Sequence, residues 1–385
     1  MKIAFVLLRY GQNILGGAEY HARLVAEHLA ESGLADIDVL TTTASLHYAP
    51  SNSLPAGISW LNGVRILRFP IDLSAFDMRV YEKLMWHQYS KPDGMPLDQQ
   101  NDWARNMTFS AALCAYLDLH HADYDAIVIM PYINSLHAAM VAPHKTFIWP
   151  CLHDEPPAYA VPVMRMLNAA RGVIFNTEPE LAIARRLGLS NPNVSVVALG
   201  IDPLDGSRAR FYAQTPQAPP FIAYAGRLED TKNLAELYAF FQEYKRQFGG
   251  DLCLRLLGKG PEQPPVANDI IAEGYVPAQR KADVFAAALA VVAPSIAESL
   301  SLTLLEAWTL GTPCIVNGRC EVMRYQVERC GGGLHYSSQA EFNHALTTYA
   351  QYEDVRRVAG AAGRDFVQRR YNWQRVLGDF MRLVN

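Results

Sequence analysis

The sequence APSIAESLSLTLLEA, residues 293–307, decides the fold class because it joins a strand to a helix through a short turn. The apolar run at residues 289–292 has the length of a buried strand. Leu302, Leu305 and Trp308 follow at helical spacing, and Gly311 with Pro313 beyond it ends the helix. The pattern predicts a strand–turn–helix unit of the kind that builds parallel α/β sheets.

The same stretch predicts a ligand site. A helix that begins near Ser301 has unpaired amides at Ser301, Leu302 and Thr303, which suit a phosphate. Glu298 and Glu306 flank these amides; the two carboxylates would repel a bare phosphate but would accept bonds from hydroxyls. A ligand with a sugar, a diphosphate and a ribose in sequence satisfies both requirements. The alternative is that Glu298 only caps the helix and Glu306 is solvated.

Composition excludes several classes of protein. A chain of 385 residues that is 50% hydrophobic can form two ordinary domains. Its 34 basic and 38 acidic residues give a net charge of -4, so we expect no nucleic-acid partner. Six cysteines without zinc-site spacing favour reduced thiols in the cytoplasm. No signal peptide or membrane-spanning segment is expected.

The pattern along the chain is α/β in both halves. In the first half it predicts an exposed excursion over residues 45–63, with strands at 3–8, 37–42, 64–69, 126–130, 146–149, 172–175 and 194–197 and helices at 18–32, 76–89 and 98–119. Thr177 and Glu180 have the spacing of a capping box, and Gly188 ends that helix. In the second half it predicts strands at 221–225, 252–257 and 289–292 and helices at 235–248 and 279–288.

A proline-rich stretch that reaches Pro220 separates the two halves. We therefore predict an N-terminal domain at residues 1–205, completed by a C-terminal helix at 371–385, and a second domain at 206–370. Both are expected to be doubly wound parallel-sheet domains. The helical insert carries a basic and aromatic set that could meet an acceptor or a membrane surface, although ordinary helix packing is the simpler interpretation: Arg79, Tyr81, Lys83, Trp86 and Arg105.

In doubly wound sheets ligands bind at the carboxyl ends of strands, so polar motifs that directly follow strands are candidates. GRLEDTKN places Arg227 and Lys232 in one loop, where two cations would match a diphosphate. The alternative is a surface pair between Arg227 and Glu229 or Asp230.

Two further motifs follow strands in the second half. In GKGP, Gly258 and Gly260 permit the close backbone approach that an adjacent nucleotide needs. In EGYVP, the backbone near Tyr275 and Val276 would meet a base, although a short buried strand explains that motif equally well.

Two motifs in the first half are candidates for a ligand site. Gly16, Gly17 and Glu19 follow the first strand, where a loop could close over a ligand or simply form a tight turn. His153 in PCLHDEPP follows a strand and is next to carboxylates in the sequence. It is therefore either a residue of the reaction site or a structural histidine.

Two Asp-x-Asp patterns were considered as metal sites. Asp36 with Asp38 and Asp123 with Asp125 both lie at the amino ends of predicted strands, the wrong edge for a ligand. We therefore predict no metal. No G-x-G-x-x-G motif follows a strand, so no dinucleotide cofactor is expected.

Taken together, GGAE, GRLEDTKN, GKGP and the two glutamates resemble the retaining family 4 glycosyltransferases of the GT-B fold, in which two Rossmann-like domains face a cleft. The resemblance implies that Glu298 contacts the donor sugar and Glu306 the ribose. Arg227, Lys232 and the amides near Ser301 and Leu302 would hold the diphosphate. Ser299 and Leu300, in the same donor loop, stand where many relatives have Gly and Phe.

The same resemblance implies that the Gly16–Gly17 loop and His153 line the acceptor side, and that the final helix packs on the N-terminal domain through Trp373 and Phe380. The expected reaction is metal-independent transfer of a hexose from a UDP-, GDP- or ADP-sugar to a glycan or lipid-linked acceptor, in bacterial surface polysaccharide biosynthesis. Glu298, His153, Arg227 and Lys232 are the expected catalytic residues.

Three alternatives stay open: a GT-B sugar-nucleotide epimerase, a nicotinamide-dependent oxidoreductase, and a non-catalytic sugar-nucleotide-binding subunit. The missing glycine fingerprint disfavours the oxidoreductase. A cytoplasmic location is expected, with peripheral attachment to the inner face of the membrane left open, as are the oligomeric state, the donor base, the sugar and the acceptor.

Overall fold

The computed structural model describes residues 1–14, 16–46, 51–90, 95–133 and 136–385, without the side chains of residues 88 and 89. The chain forms two compact units. Unit 1 comprises Met1–Gly200 and Trp373–Asn385, and unit 2 comprises Ile201–Asn372. The division thus falls at residue 200, whereas the sequence predicted residue 205.

Unit 1 is built on an eight-stranded sheet in the order β3-β4-β2-β1-β5-β6-β7-β8. Its strands are β1 Lys2–Val6, β2 Asp36–Thr42, β3 Gly57–Leu61, β4 Val64–Phe69, β5 Ala126–Ile129, β6 Thr146–Ile148, β7 Gly172–Phe175 and β8 Val194–Val196. Every neighbouring pair is parallel except β3 with β4. The strand order reverses between β1 and β5, which is where such sheets bind ligands.

The helices of unit 1 cover the faces of this sheet and bury its apolar strands. Within residues 1–200 they are α1 Gly17–Glu31, α2 Met78–Ser90, α3 Leu97–Arg105, α4 Ala111–His120, α5 Leu136–Ala139, α6 Val161–Ala169 and α7 Glu178–Arg186. The apolar residues of β1, β5, β6 and β7 have almost no exposed surface, as expected for central parallel strands.

Unit 2 is built on a six-stranded, fully parallel sheet in the order β11-β10-β9-β12-β13-β14. Its strands are β9 Phe221–Ala225, β10 Cys253–Leu257, β11 Ile270–Gly274, β12 Ala290–Ala293, β13 Cys314–Asn317 and β14 Gly333–Tyr336. The strand order reverses between β9 and β12. The prediction of two doubly wound parallel-sheet domains is confirmed.

Unit 2 has helices close to those predicted at residues 235–248, at 279–288 and from about Ser301, together with others that were not predicted. They are α8 Arg208–Gln214, α9 Leu234–Phe248, α10 Ala278–Ala287, α11 Leu302–Thr309, α12 Glu321–Cys330, α13 Gln339–Gln351 and α14 Glu353–Arg370. The apolar face of α9 contributes Leu234, Leu237 and Phe241 to the core, and none of the three has exposed surface.

The predicted excursion at residues 45–63 contains a strand that the sequence analysis missed. β3 pairs antiparallel with β4 through a tight turn at Asn62 and Gly63, which have φ angles of 48° and 80°. Ile58 and Trp60 on β3 are 67% and 68% exposed. The prediction of an exposed segment was therefore correct for the described residues, although the strand within it was not predicted. Residues 47–50 lie outside the described part of the chain.

The single helix predicted at residues 98–119 is two helices, α3 and α4. The break occurs because Ser110 caps α4, with its side chain accepting a bond from the Leu113 amide at 3.2 Å. Trp103, near the end of α3, is fully buried and stacks on Tyr81 of α2 at 6.1 Å. Residues 91–94, where a break between helices was predicted, are not described.

The last helix, α15 Trp373–Val384, belongs to unit 1. Phe380 stacks on Phe5 of β1 and on Trp149, with ring centroids 6.2 and 6.1 Å apart. Trp373 stacks on His28 of α1 at 3.8 Å. A Cβ at Gly200 would lie 2.3 Å from the Trp373 ring, so this close packing requires glycine there. Among the helices described, none has the length and apolar character needed to cross a bilayer.

Candidate active site

The candidate site of unit 2 lies where its strand order reverses. The loop after β9 and the loop after β12 leave the sheet at the same edge, because the two strands are adjacent and parallel. Lys232 lies in the first loop and Glu298 in the second. This position matches the general rule that parallel α/β sheets bind ligands beside the carboxyl ends of the strands that flank the reversal.

Lys232 and Glu298 contact each other directly. The Lys232 ammonium donates a hydrogen bond to Glu298 Oε1 at 2.7 Å. The two side chains are 22% and 17% exposed, so the pair lies in a partly covered position that a ligand can still reach. The structure therefore brings together two of the four residues predicted to be catalytic, across 66 residues of sequence.

Arg227 lies in the same loop and is more open. Its guanidinium contacts Glu229 Oε1 at 2.9 Å, which is the surface pairing considered as the alternative from sequence. The loop is anchored from below by Tyr224, whose hydroxyl donates to the Arg227 carbonyl oxygen at 2.7 Å. Burial raises the pKa of Tyr224 well above its usual value, and the nearby charge of Glu298 adds to this effect. Tyr224 is therefore a neutral support for the loop.

Gly258 and Gly260 lie where two loops of unit 2 pack closely together. A Cβ at Gly258 would lie 1.8 Å from the Gly226 carbonyl oxygen, and a Cβ at Gly260 would lie 2.0 Å from the Leu228 carbonyl oxygen. The Leu228 amide also donates to the Lys259 carbonyl oxygen at 3.1 Å. The two glycines thus let the loop after β10 pack against the loop that carries Arg227. Their close approach to a nucleotide stays a prediction.

Helix α11 begins near Ser301, as predicted. Ser301 is the capping residue, and its hydroxyl makes no capping bond within the described part of the chain. Ser299, Leu300 and Ser301 are all buried, with 6%, 8% and 5% of their surface exposed. Thr303 donates a bond from its hydroxyl to the Ala225 carbonyl oxygen at 3.4 Å, which ties the helix to the end of β9.

Glu306 is paired with a residue that the sequence analysis missed. It lies in the second turn of α11, as predicted, and its Oε1 accepts a hydrogen bond from the Lys281 ammonium of α10 at 2.5 Å. The exposed fractions are 13% for Glu306 and 28% for Lys281. Glu306 is therefore not a simple solvated carboxylate. This pairing could not be predicted from the sequence because Lys281 lies on a different helix.

A second missed feature is the hydrogen-bond network that fixes the loop ends around Pro294. Asn233 caps α9 in the left-handed conformation, with φ 55°, and donates to the Pro294 carbonyl oxygen at 3.2 Å. Asn317 donates to the same oxygen at 3.2 Å, and both amides also bond to Glu236. Arg319 pairs with Glu236. The ends of β12 and β13 and the start of α9 are thus held together.

Tyr275 and Val276 follow β11 at the edge of the sheet. Tyr275 is 64% exposed, and Val276 is partly buried. The Gly258 amide donates to the Gly274 carbonyl oxygen at 2.8 Å, so this loop lies beside the loop after β10. The short buried strand considered as an alternative for this motif is not formed: β11 ends at Gly274, just before Tyr275, and most of its residues are not buried. A contact of Tyr275 or Val276 with a base stays a prediction.

In unit 1, Gly16 and Gly17 lie at the start of α1, and Glu19 is in its first turn. Glu19 forms an ion pair with Arg9 in which the side chains are only 11% and 9% exposed. A Cβ at Gly16 would lie 2.1 Å from the Glu19 carboxylate, so a larger residue there would displace the Glu19 side chain, whereas Gly17 has no neighbour within 4 Å of a Cβ. Arg9 was not predicted as a site residue. Residue 15 of this loop is not described.

His153 lies in the loop after β6, two strands from the loop after β1. Its Nδ1 is 3.4 Å from Glu155 Oε1, and the imidazole is 31% exposed. The Tyr132 hydroxyl donates to the same Glu155 oxygen at 3.2 Å. The structure therefore places His153 beside a carboxylate at the carboxyl edge of the sheet, as predicted, and it does not test whether His153 acts in catalysis.

Glu180 has a larger role than the predicted capping box gave it. The Thr177 hydroxyl accepts a bond from the Glu180 amide at 3.3 Å, as predicted. The Glu180 carboxylate is fully buried and accepts the amides of Leu152 and Asn176, each at 2.6 Å. Burial raises the pKa of Glu180 to about 8, against the opposing effect of these amide bonds.

The Asp-x-Asp patterns lie at the amino ends of strands and serve the structure there. Asp38 in β2 pairs with Arg65 and accepts a bond from the Tyr124 hydroxyl at 2.8 Å. Asp125 accepts a bond from the Lys2 amide at 2.7 Å. Within the described residues, no group of three or more His, Cys, Asp or Glu side chains is arranged to hold a metal ion.

Solved structures define the class of fold. The chain superposes on sucrose-phosphate synthase from Thermosynechococcus elongatus with a TM-score of 0.73 at 18% identity, covering 99% of this chain and 98% of that one. It superposes on HepE from Anabaena in complex with UDP-glucose with a TM-score of 0.69 at 16% identity, covering 100% and 98%. The predicted GT-B fold, with two parallel-sheet α/β domains, is confirmed.

Sequence comparisons point to the same class. Residues 219–350 match the family described as glycosyl transferases group 1. The chain is 22% identical over 355 residues to an uncharacterised glycosyltransferase of Methanocaldococcus jannaschii, covering 85% of this chain and 84% of the relative. Together, the fold and these matches support a glycosyltransferase of GT-B fold.

Proposed function

We propose that the protein is a retaining, metal-independent glycosyltransferase of family 4. It transfers a hexose from a nucleotide diphosphate sugar to a hydroxyl of a glycan or lipid-linked acceptor, in the cytoplasm of a bacterium that builds a surface polysaccharide. The observation that carries the proposal is the contact of Lys232 with Glu298 at the point where the strand order of unit 2 reverses. That contact joins a cation and a carboxylate at the edge where sheets of this kind bind ligands, which supports the proposal.

The groups around this contact suit the parts of a sugar nucleotide. Lys232, Arg227 and the first amides of α11 are donors for a diphosphate. Glu298 accepts bonds from hydroxyls of the sugar, and Glu306 accepts bonds from hydroxyls of the ribose. HepE, which has the same fold, is described in complex with UDP-glucose, and this supports a nucleotide-sugar donor here.

The chemistry follows from charge. When the bond between the sugar carbon and the diphosphate oxygen breaks, negative charge grows on the leaving phosphate. Lys232, Arg227 and the α11 amides stabilise that charge, because they are held in place by the sheet and its loops before the reaction starts. The acceptor oxygen attacks the sugar carbon from the face that the diphosphate leaves. The proton of the acceptor hydroxyl is transferred to the leaving diphosphate. The configuration of the sugar is retained.

The acceptor side belongs to unit 1. We assign it to the loop that contains Gly16 and Gly17 and to His153, both at the carboxyl edge of the sheet of that unit. An imidazole beside the Glu155 carboxylate can exchange hydrogen bonds with sugar hydroxyls.

The test of this proposal is Lys232→Ala, measured as sugar transfer from a donor that the wild-type protein uses. A charge-assisted bond contributes about 1.5 to 3 kcal/mol, so we expect turnover to fall at least roughly tenfold to a hundredfold. Arg246→Ala is the matched control, because Arg246 forms an exposed ion pair with Glu243 on the surface of α9. The control should keep wild-type turnover.

Three results would contradict the proposal. Full activity in Lys232→Ala would remove the diphosphate assignment. A new sugar nucleotide formed without any acceptor would indicate an epimerase. Donor binding without transfer to any member of a broad acceptor panel would indicate a binding subunit.

A further inference from the structure

Glu180 joins two loops at the carboxyl edge of the sheet of unit 1. Its Oε1 accepts a hydrogen bond from the backbone amide of Leu152, in the loop after β6. Its Oε2 accepts one from the backbone amide of Asn176, at the end of β7, and both N–O distances are 2.6 Å. The side chain has no exposed surface. A buried carboxylate is costly unless hydrogen bonds satisfy it, so both amides are needed to keep it there.

The loop that Glu180 holds has a strained backbone. Cys151, directly before Leu152, has a φ of 51°, a conformation that residues other than glycine rarely adopt. Such a conformation persists only where the surroundings enforce it. Here the surroundings include Asn176, whose side chain accepts a bond from Trp149 Nε1 at 2.9 Å and donates to Cys151 Sγ at 3.7 Å.

His153 is the next residue after Leu152. The strained turn and the bond from the Leu152 amide to Glu180 together set the direction in which the chain leaves β6, and therefore where the imidazole lies. Glu180 itself is fully buried, so it has no surface with which to contact a ligand.

We propose that Glu180 is a positioning residue for His153: its carboxylate fixes the loop after β6 in the strained conformation that places the imidazole at the edge of the sheet. This rests on the proposed function for the role of His153 in the reaction. The tethering of the loop itself is independent of that role.

The test uses Glu180→Gln in the full-length protein. Glutamine has the same shape but only one acceptor oxygen. Its NH2 group would face one of the two backbone amides, so that two donors meet and that amide has no acceptor. We expect kcat to fall tenfold to a hundredfold while the KM for the donor stays within twofold. Amide hydrogen exchange should become at least tenfold faster across residues 150–155.

The matched control is Thr177→Ala, which removes the cap of α7 but leaves the carboxylate with its two amides. It should lower the melting temperature and leave kcat and the exchange of residues 150–155 unchanged. If Glu180→Gln does not fold, Glu180→Asp replaces it, because the shorter side chain keeps a carboxyl group but cannot reach both amides.

A double-variant comparison separates positioning from a general structural role. In a His153→Ala background, Glu180→Gln should lower kcat by less than twofold, because the residue it positions is gone. An equal loss in both backgrounds, unchanged kcat in Glu180→Gln, or wild-type exchange across residues 150–155 would each overturn the proposal. If the wild-type protein transfers no sugar at all, the proposed function fails, and the exchange measurement alone decides whether Glu180 holds the loop.

Discussion

The contact between Lys232 and Glu298 contributes little to stability. Both side chains are partly exposed, and ion pairs of this kind typically contribute about 1 kcal/mol or less. The fold does not depend on it, since the same loops are fixed by Asn233, Asn317 and the Pro294 carbonyl oxygen. A weak ion pair in a well-fixed loop is what a ligand can rearrange at low cost, and this favours a functional role.

Lys281 offers a test of the ribose assignment. Because its ammonium holds one oxygen of Glu306, we expect Lys281→Ala to let that carboxylate move and to weaken donor binding. The contact is made equally in the ground state and the transition state, so the KM for the donor should rise roughly threefold to tenfold with kcat nearly unchanged. Steady-state kinetics with varied donor concentration measures both values.

The control for Lys281→Ala is Gln279→Ala, two residues earlier on the same helix and exposed. Gln279 bonds to Asp205 and Asp283, away from Glu306. The Gln279→Ala variant should therefore have the wild-type KM for the donor. A loss of kcat in Lys281→Ala without a change in KM would contradict the assignment of Glu306 to the ribose.

Individual site residues were predictable from sequence where their position depends on the chain next to them. Lys232 and Glu298 follow strands directly, so their place at the edge of the sheet could be predicted. Their direct bond could not, because it depends on which strands are neighbours. Lys281 and Arg9 had no signal for the same reason: each acts through a partner fixed by the packing of separate elements.

At the scale of elements, two glycines decide how the loops of unit 2 pack. Gly258 has a φ of 155° and leaves no room for a Cβ beside the Gly226 carbonyl oxygen. We expect Gly258→Ala to force these loops apart and to lower the free energy of unfolding by about 2 kcal/mol or more, the range found for overpacked sites. Denaturant unfolding of the purified variant measures this change.

Gly17→Ala is the comparison for that measurement. Gly17 begins α1, and a Cβ there meets no atom within 4 Å. Alanine also favours helix over glycine by about 1 kcal/mol in helix interiors, so the variant should be as stable as the wild type or slightly more stable. Equal stability of Gly258→Ala and the wild type would show that the two loops are not in the contact described.

Elements were predictable where the hydrophobic pattern was continuous, and not where a local signal interrupts it. The Asn62–Gly63 pair is typical of a two-residue hairpin turn, and it could have revealed β3. The strand was missed because its flanking composition is polar and its residues are exposed. Ser110 could likewise have divided the helix predicted at residues 98–119, since serine is a preferred capping residue.

At the scale of the whole molecule, the fold could be predicted from the alternation of strands and helices, although the sequence identity to the solved structures is low. Structures at 16% and 18% identity superpose over nearly the full chain. The fold depends on the period and length of apolar segments, which many sequences satisfy. The identities of the sugar, the base and the acceptor depend on a few side chains, so the pattern does not carry them.

The central claim is that unit 2 binds a nucleotide diphosphate sugar at Lys232, and equilibrium binding tests it most directly. Isothermal titration and thermal shift with UDP-, GDP- and ADP-glucose should be compared for the wild type and Lys232→Ala, with Arg246→Ala as the control. A donor at about a hundred times its Kd should stabilise the wild type by about 2.7 kcal/mol. The account predicts that at least one donor binds the wild type and the control, and binds Lys232→Ala at least roughly tenfold more weakly. Binding of no donor, or equal binding to Lys232→Ala, would contradict it.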